Sequence, residues 1–264
     1  MAWKMTSVYF MFAIALLTMV FTVACGGGIV DSGVGSLAQG RWGHSATILE
    51  DGRVLVTGGH GIPSTSLTSA EVYDPSTNAW SSAGDMADKH PEGHTSTLLP
   101  DGKVLVIGGK KAPEVYDPSA NSWSTTALLT DPRMRHTATL LDDGRVLVTG
   151  GRDMTKAGDQ KLDSVELYDP STGEWSLATP MLEERLNHGA ALLPDGKVLV
   201  VSKYDGNLTH ESSAETYDPS TETWSPAGAP LKERDSAFTI TATADGKVIV
   251  TGGRIFTRGR TQAH

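Results

Sequence analysis

A sixteen-residue phrase centred on Asp-Gly is written five times along this chain, and that repetition constrains the fold more than any single residue. The copies read HSATILEDGRVLVTGG from His44, HTSTLLPDGKVLVIGG from His94, HTATLLDDGRVLVTGG from His136, HGAALLPDGKVLVVSK from His188 and FTITATADGKVIVTGG from Phe238. Their Asp positions, Asp51, Asp101, Asp143, Asp195 and Asp245, are separated by 50, 42, 52 and 50 residues. A period of this size is the signature of a radial or solenoidal repeat fold.

The phrase reads as a β-hairpin. Small or polar residues alternate with apolar ones ahead of Asp-Gly, and a β-branched apolar run such as Val54-Leu55-Val56 follows it. Asp-Gly suits a type I′ turn, in which both central residues take positive φ. Apolar residues at consecutive strand positions predict burial on both faces, as for a strand held between neighbouring sheets. The closing Gly-Gly provides a sharp turn.

A second phrase follows four of the copies: AEVYDPSTNAW ending at Trp80, PEVYDPSANSW at Trp123, VELYDPSTGEW at Trp175 and AETYDPSTETW at Trp224. A short strand ends at Tyr. Asp-Pro-Ser-Thr then turns, because Asp accepts from N–H groups two residues on and Pro presets φ. Trp opens the next strand. The repeated Tyr and Trp are expected to anchor outer strands against adjacent units. Each unit thus holds four antiparallel strands, the content of one propeller blade.

The Gly-Gly after the second strand, the spaced Tyr and Trp, and the Arg or His ahead of the first strand resemble kelch repeats over about Arg41 to Gly253. The resemblance implies an all-β fold, a kelch-type β-propeller with four complete four-stranded blades plus a half blade. Two departures stand out. Val201-Ser202 replaces Gly-Gly in the fourth unit, and the fifth stops after its second strand. Kelch relatives usually close with six or seven blades, so the resemblance implies a ring short by one or two blades, from a truncated product or a fragment of a longer gene; the alternatives are a five-bladed closure that borrows a strand from residues 29–40 and dimerisation through the open edges. Residues 254–264 are a tail outside the repeat.

Residues 1–25 read as an export segment. Lys4 is the only charge ahead of an uncharged run from Val8 to Val23, and Ala24-Cys25 leads into three glycines. This order of basic start, apolar stretch and small residue describes a secretory signal. The lone Cys after Ala resembles a bacterial lipobox, which makes Cys25 a candidate lipidation site. The alternatives are an ordinary cleaved signal and an uncleaved anchor, the run being at the short end of the roughly 17–25 residues a spanning helix needs. All three put the repeats outside the cytoplasm, and the lipoprotein reading puts them on a bacterial outer membrane or cell surface. Residues 26–40, rich in Gly and Ser, read as a flexible tether. Cys25 is the only cysteine, so no intrachain disulfide forms and packing must supply the stability. A formal charge of −9 without a Lys/Arg run in the repeats argues against nucleic acid as a partner.

In an antiparallel blade the first-to-second and third-to-fourth strand turns share one end. The first are all Asp-Gly and the second nearly all Asp-Pro-Ser-Thr, which reads as architecture. The other end carries unequal loops: His60 to Ser69, Lys110 to Ala112, Arg152 to Ser164 and Tyr204 to Ser213. Variable loops on a rigid scaffold are where binding resides. The inter-blade links bring Arg41, Arg133, Arg185 and Arg234 to this same face, with Pro91 at the corresponding place in the second blade. An arginine ring offers planar forks to an acidic group. The alternative is that each Arg bonds to loop carbonyls or to Asp131, Glu183, Glu184 or Glu233 and fastens one blade to the next, which repetition favours. The repeated His positions are assigned to structural hydrogen bonding, with no metal. Candidate ligand-binding residues are therefore these four arginines and the non-repeated His60, Arg152, Lys203 and Tyr204, with Lys156 and His210 beside them. The family's copper-radical oxidases need a cysteine joined to a tyrosine, which this chain cannot supply in its blades; no cofactor is expected. The resulting expectation is a membrane-tethered module that binds a protein or glycan through its variable-loop face. The alternative is a glycan-active or isomerising enzyme using acids such as Asp159, Asp205 or Glu211.

Overall fold

A computed structural model describes residues 35–156, 160–201, 213–228, 238–252, 254–257 and 260–263. The chain divides into two units, Met1–Gly33 and Val34–His264, and all described residues belong to the second. Four antiparallel four-stranded sheets follow one another in sequence. Blade 1 holds β1 (Ser45–Ile48), β2 (Val54–Thr57), β3 (Ser69–Asp74) and β4 (Ala79–Asp85). Blade 2 holds β5 (Thr95–Leu98), β6 (Val104–Ile107), β7 (Glu114–Asp117) and β8 (Ser122–Thr125). In blade 3 a two-residue strand β9 (Arg133–Met134) precedes β10 (Thr137–Leu140) and β11 (Val146–Thr149). It pairs with β12 (Arg152–Asp153), and β13 (Val165–Asp169) and β14 (Glu174–Ala178) complete the sheet. Blade 4 holds β15 (Gly189–Leu192), β16 (Val198–Val201), β17 (Ala214–Asp218) and β18 (Thr223–Pro226). A hairpin of β19 (Phe238–Ala242) and β20 (Val248–Gly252) forms a half blade, and β21 (Arg254–Thr257) pairs with β22 (Arg260–Ala263) beyond it. The expectation of four blades and a half matches this order. The first strands β1, β5, β10, β15 and β19 are neighbours in succession and form the inner wall.

The core lies between blades. Leu55, Val72, Ala83 and Met86 of blade 1 meet Val104, Val106 and Tyr116 of blade 2. Leu105, Ile107 and Leu129 meet Val146, Val148 and Tyr168. Leu147, Leu167 and Met181 meet Val198, Val200 and Tyr217. The middle residue of each Val-Leu-Val run therefore faces the following blade and the flanking valines face the preceding one, as side-chain alternation requires. That is why the run is apolar at every position.

Each Tyr stacks obliquely on the Trp opposite it in the neighbouring strand, at ring-centroid distances of 4.9 to 5.2 Å. The indole N–H then reaches the preceding blade: Trp123 donates to Ala83 O, Trp175 to Thr126 Oγ1 and Trp224 to Thr179 O. Trp80 donates to Gly35 O at 2.6 Å, so residue 35 occupies for blade 1 the station that a preceding outer strand provides elsewhere.

The Asp-Gly hairpins differ from the expected type I′. Only the Gly is left-handed (Gly52, φ +84), and Asp51 is not. Gly52 N–H donates to Leu49 O and Leu49 N–H to Arg53 O, which makes a type I turn over Glu50-Asp51 closed by a glycine bulge. The first central position explains the difference: Pro100 and Pro194 occupy it in blades 2 and 4, and proline's fixed negative φ forbids a primed turn. Asp51 and its equivalents accept the N–H two residues on, as Asp51 Oδ1 does from Arg53 at 3.0 Å. The Asp-Pro-Ser-Thr turns behave as expected, with Asp74, Asp117, Asp169 and Asp218 accepting from the Ser N–H and hydroxyl.

Candidate functional site

Among the described residues, the repeated arginines of the variable-loop face, Arg41, Arg133 and Arg185, are buried. The side chains of Arg41 and Arg133 are 0 % exposed and that of Arg185 is 1 %. Arg133 donates to Gly150 O, Ser164 O and Ser164 Oγ, and pairs with Glu166 Oε1 at 2.7 Å. Arg41 repeats the pattern with Gly58, Ser69 and Glu71, and Arg185 with Ser213 and Glu215. The acids named from sequence are not the main partners. Asp131 and Glu183 stand at 3.9 and 3.8 Å, against 2.7 to 2.8 Å for the strand glutamates.

Each glutamate also captures the incoming link. Glu166 accepts from the N–H groups of Thr130 and Asp131, Glu114 from Ala87 and Asp88, Glu71 from Ala38 and Gln39, and Glu215 from Leu182. Arginine and glutamate together form a polar staple that binds the crossing chain to the sheet it is about to enter. In blade 2 the sequence reading put Pro91 in the arginine's place, counting back from His94. The structure instead uses His90, whose Nε2 lies 3.0 Å from Glu114 Oε1. Counting ten residues on from Trp80 finds it, because this link is one residue longer.

The repeated histidines bridge blades. His94 Nδ1–H donates to Pro91 O, so its Nε2 accepts from Thr57 Oγ1 of blade 1 at 3.0 Å. His136 meets Thr95 at 2.9 Å, and His188 meets Thr137 and Thr149 at 3.0 and 2.9 Å. Burial pushes His94 down to about 4 and His188 to about 3, the latter helped by Arg185 and Arg133, and drives His136 well below 6.5. An unfolded chain protonates these rings near pH ~6.5. The fold therefore binds fewer protons than the unfolded chain between that value and the depressed ones. The stability these rings contribute is complete above pH ~6.5 and declines as the pH falls toward ~4. A urea midpoint that is constant above pH ~7 and drops steadily below ~6.5 is the expected result; a midpoint unchanged down to pH ~5 would contradict it.

What this face displays is set by other residues. Trp42 and His60 are joined by two backbone hydrogen bonds, and their rings stack at 4.5 Å with 25° between planes. His60 Nε2 accepts from Glu92 N–H of the next link, and Nδ1 faces Ser66 Oγ. Trp42 is nonetheless 46 % exposed, and Ile62 at the tip of the same loop is 90 % exposed. Arg152 lies in β12 against Met134, and Asp153 is held near pKa 2 by the hydroxyl and N–H of Thr155 and by Lys156. The residue just before each repeated His is left-handed: Gly43, Gly93, Arg135 and Asn187, at φ 64, 89, 57 and 54. Sequence reasoning missed Trp42, Ile62, Arg135 and Asn187. The signal for the last two was the departure from Gly at a position where blades 1 and 2 keep it. Lys203, Tyr204, His210, Arg234, Asp159, Asp205, Glu211 and Cys25 lie outside the described residues.

On the opposite face, clefts of about 380 and 350 Å³ open between blades 1 and 2 and between blades 3 and 4. Both are lined by the repeated turn residues, Asp51, Asp101 and Asp117 in one and Asp143, Asp195 and Asp218 in the other. Recurrence at equivalent places makes them a consequence of blade stacking. Among the described residues no three His, Cys, Asp or Glu side chains converge as a metal site would require.

The family model for the kelch motif matches residues 51–87 and 133–182, which are most of blade 1 and blade 3. A search of curated proteins returns no match. Blades 2 and 4 repeat the matched ones strand for strand, with the same Tyr–Trp pair and the same buried glutamate. The chain therefore carries kelch motifs over those residues, and its all-β antiparallel four-stranded sheets fit a kelch-repeat β-propeller.

Proposed function

We propose that this kelch propeller is an exported, membrane-tethered module that binds a partner protein or glycan through its variable-loop face. Kelch blades serve generally as binding modules, and the observation that carries the choice of face is a contrast in exposure. Arg41, Arg133, Arg185, His94, His136 and His188 there are buried, while Trp42 and Ile62, which occur in one blade only, are presented to solvent. A rigid exposed Trp beside an exposed aliphatic tip has the composition of a binding hot spot. Export and tethering rest on the basic, apolar and Ala-Cys order of residues 1–25.

Two experiments test the proposal. Trp42→Ala combined with Ile62→Ser should abolish capture of surface proteins or arrayed glycans by the purified chain, with an unchanged unfolding midpoint. Undiminished capture would remove this face from consideration. Cys25→Ser should release the protein from the membrane fraction or leave an unprocessed precursor. A variant that fractionates and migrates as the native chain does would end the lipid-anchor reading.

A further inference from the structure

Blade 1 and the half blade carry apolar faces that match each other. Inside the molecule one seam recurs three times, between the exit face of each blade and the entry face of the next. Leu55, Leu105 and Leu147 lie on exit faces and are fully buried, while Leu98, Leu140 and Leu192 on entry faces pack back onto the seam. Ile249 holds the place of the first set in the half blade and is 50 % exposed. Ile48 holds the place of the second set in blade 1 and is 46 % exposed. The polar part of the seam is repeated as well. The hydroxyls of Thr137 and Thr149 lie 2.8 Å apart and together meet His188 of the next blade. The half blade presents the same pair on its exit face, Thr239 and Thr251, also 2.8 Å apart and exposed. On the entry side of blade 1 the residue in the place of His188 is His44.

We propose that a second copy of this chain docks head to tail on the first, stacking the inner strands of its blade 1 on the half-blade hairpin. Ile249 of one copy enters against Val54 and Val56 of the second, as Leu147 meets Val198 and Val200. Ile48 of the second copy packs back onto the hairpin, as Leu192 does in its own seam. The extents of the two faces agree. Among the described residues the half-blade sheet offers two strands, β19 and β20. On blade 1 the outer strand is already engaged, since the Trp80 indole donates to Gly35 O, and what stays open is Ala46 and Ile48 on the inner strand. Covering two half-exposed isoleucines removes apolar surface from water, the same driving term that closes each internal seam. A second copy is favoured over an unrelated partner because the chain itself supplies the complementary residues, in a register it already uses three times. The two faces differ, so the contact is heterologous. Each pair keeps one unused face of either kind, and association proceeds by addition rather than stopping at a twofold dimer.

The full-length chain in mild detergent is followed by sedimentation velocity across a dilution series, beside Ile48→Asp, Ile249→Asp and their equimolar mixture. Both positions face water in the single chain, so the unfolding midpoint at high dilution should hold. The native chain should grow in mass with concentration. Each variant alone should associate at least ~10-fold more weakly, because a carboxylate would enter the seam unpaired. The mixture should form one-to-one pairs and go no further, since the sound exit face of Ile48→Asp meets the sound entry face of Ile249→Asp. Ile48→Thr and Ile249→Thr keep a β-branched side chain and should give the same pattern should the carboxylates disturb the hairpins. A native chain that stays monomeric at every concentration, open or closed on itself, would overturn the proposal. So would association indifferent to both substitutions, a mixture that stays monomeric, or a single variant that pairs with itself as strongly as the native chain does.

Discussion

Glu166→Ala should be among the most damaging single changes in this chain, lowering stability by about 3–5 kcal/mol. The carboxylate is buried, accepts two link N–H groups and holds a guanidinium that has no access to water. Removing it leaves Arg133 charged, enclosed and short of its principal acceptor, and frees the link from Thr130 to Arg133. The attraction within the pair is offset by the cost of desolvating both ions. Replacing Arg133 and Glu166 together with Met and Leu should therefore cost far less than the sum of the single changes. Urea denaturation of the three variants measures this directly. An Ala variant within 1 kcal/mol of the native chain, on the scale of about 0–1 kcal/mol set by exposed pairs, would mean that the staple is ornamental.

Leu147→Ala is the second large effect expected, about 2–5 kcal/mol. Leu147 is fully enclosed by blade 4, and Val198 and Val200 cannot collapse into the space because their own strand is paired on both sides. Ile249 holds the same position in the half-blade hairpin but is 50 % exposed. Ile249→Ala should cost below about 1 kcal/mol. The residues have equivalent places in the repeat, so the difference measures what a following blade contributes. Equal losses at the two positions would place the core within sheets and contradict its assignment to the space between them.

The sequence made strands, blade count and packing faces legible because each was written several times. A Val-Leu-Val run states double burial in any copy, and the five copies remove the ambiguity of a short apolar stretch. The turn type was misread because attention went to the Asp-Gly pair and passed over Pro100 and Pro194 beside it. The arginine partners were missed for a different reason. Glu71, Glu114, Glu166 and Glu215 stand within the first three residues of their strands, where a charge is ordinarily assigned to solvent. Only their presence in all four copies could have indicated a buried partner. Arg135 and Asn187 were marked in the sequence only by their departure from the Gly of blades 1 and 2, and its meaning, a left-handed backbone at all four positions, emerges once the links are folded.

The staple also bears on how such a chain can lengthen over evolutionary time. Arg133 and Glu166, with every carbonyl and hydroxyl that Arg133 engages, lie between residues 131 and 166, within one link and its sheet. A duplication that begins at the link therefore carries its polar interior complete. What it asks of its surroundings is an apolar neighbour on each side together with the threonine and carbonyl acceptors that its His and Trp meet across the seam, and these recur from copy to copy. Units cut in that phase are interchangeable, and the loop between the second and third strands contributes to the staple chiefly through its closing Ser, Ser69, Ser164 or Ser213. Recombination in this phase leaves loop sequence free to diverge on an unchanged frame.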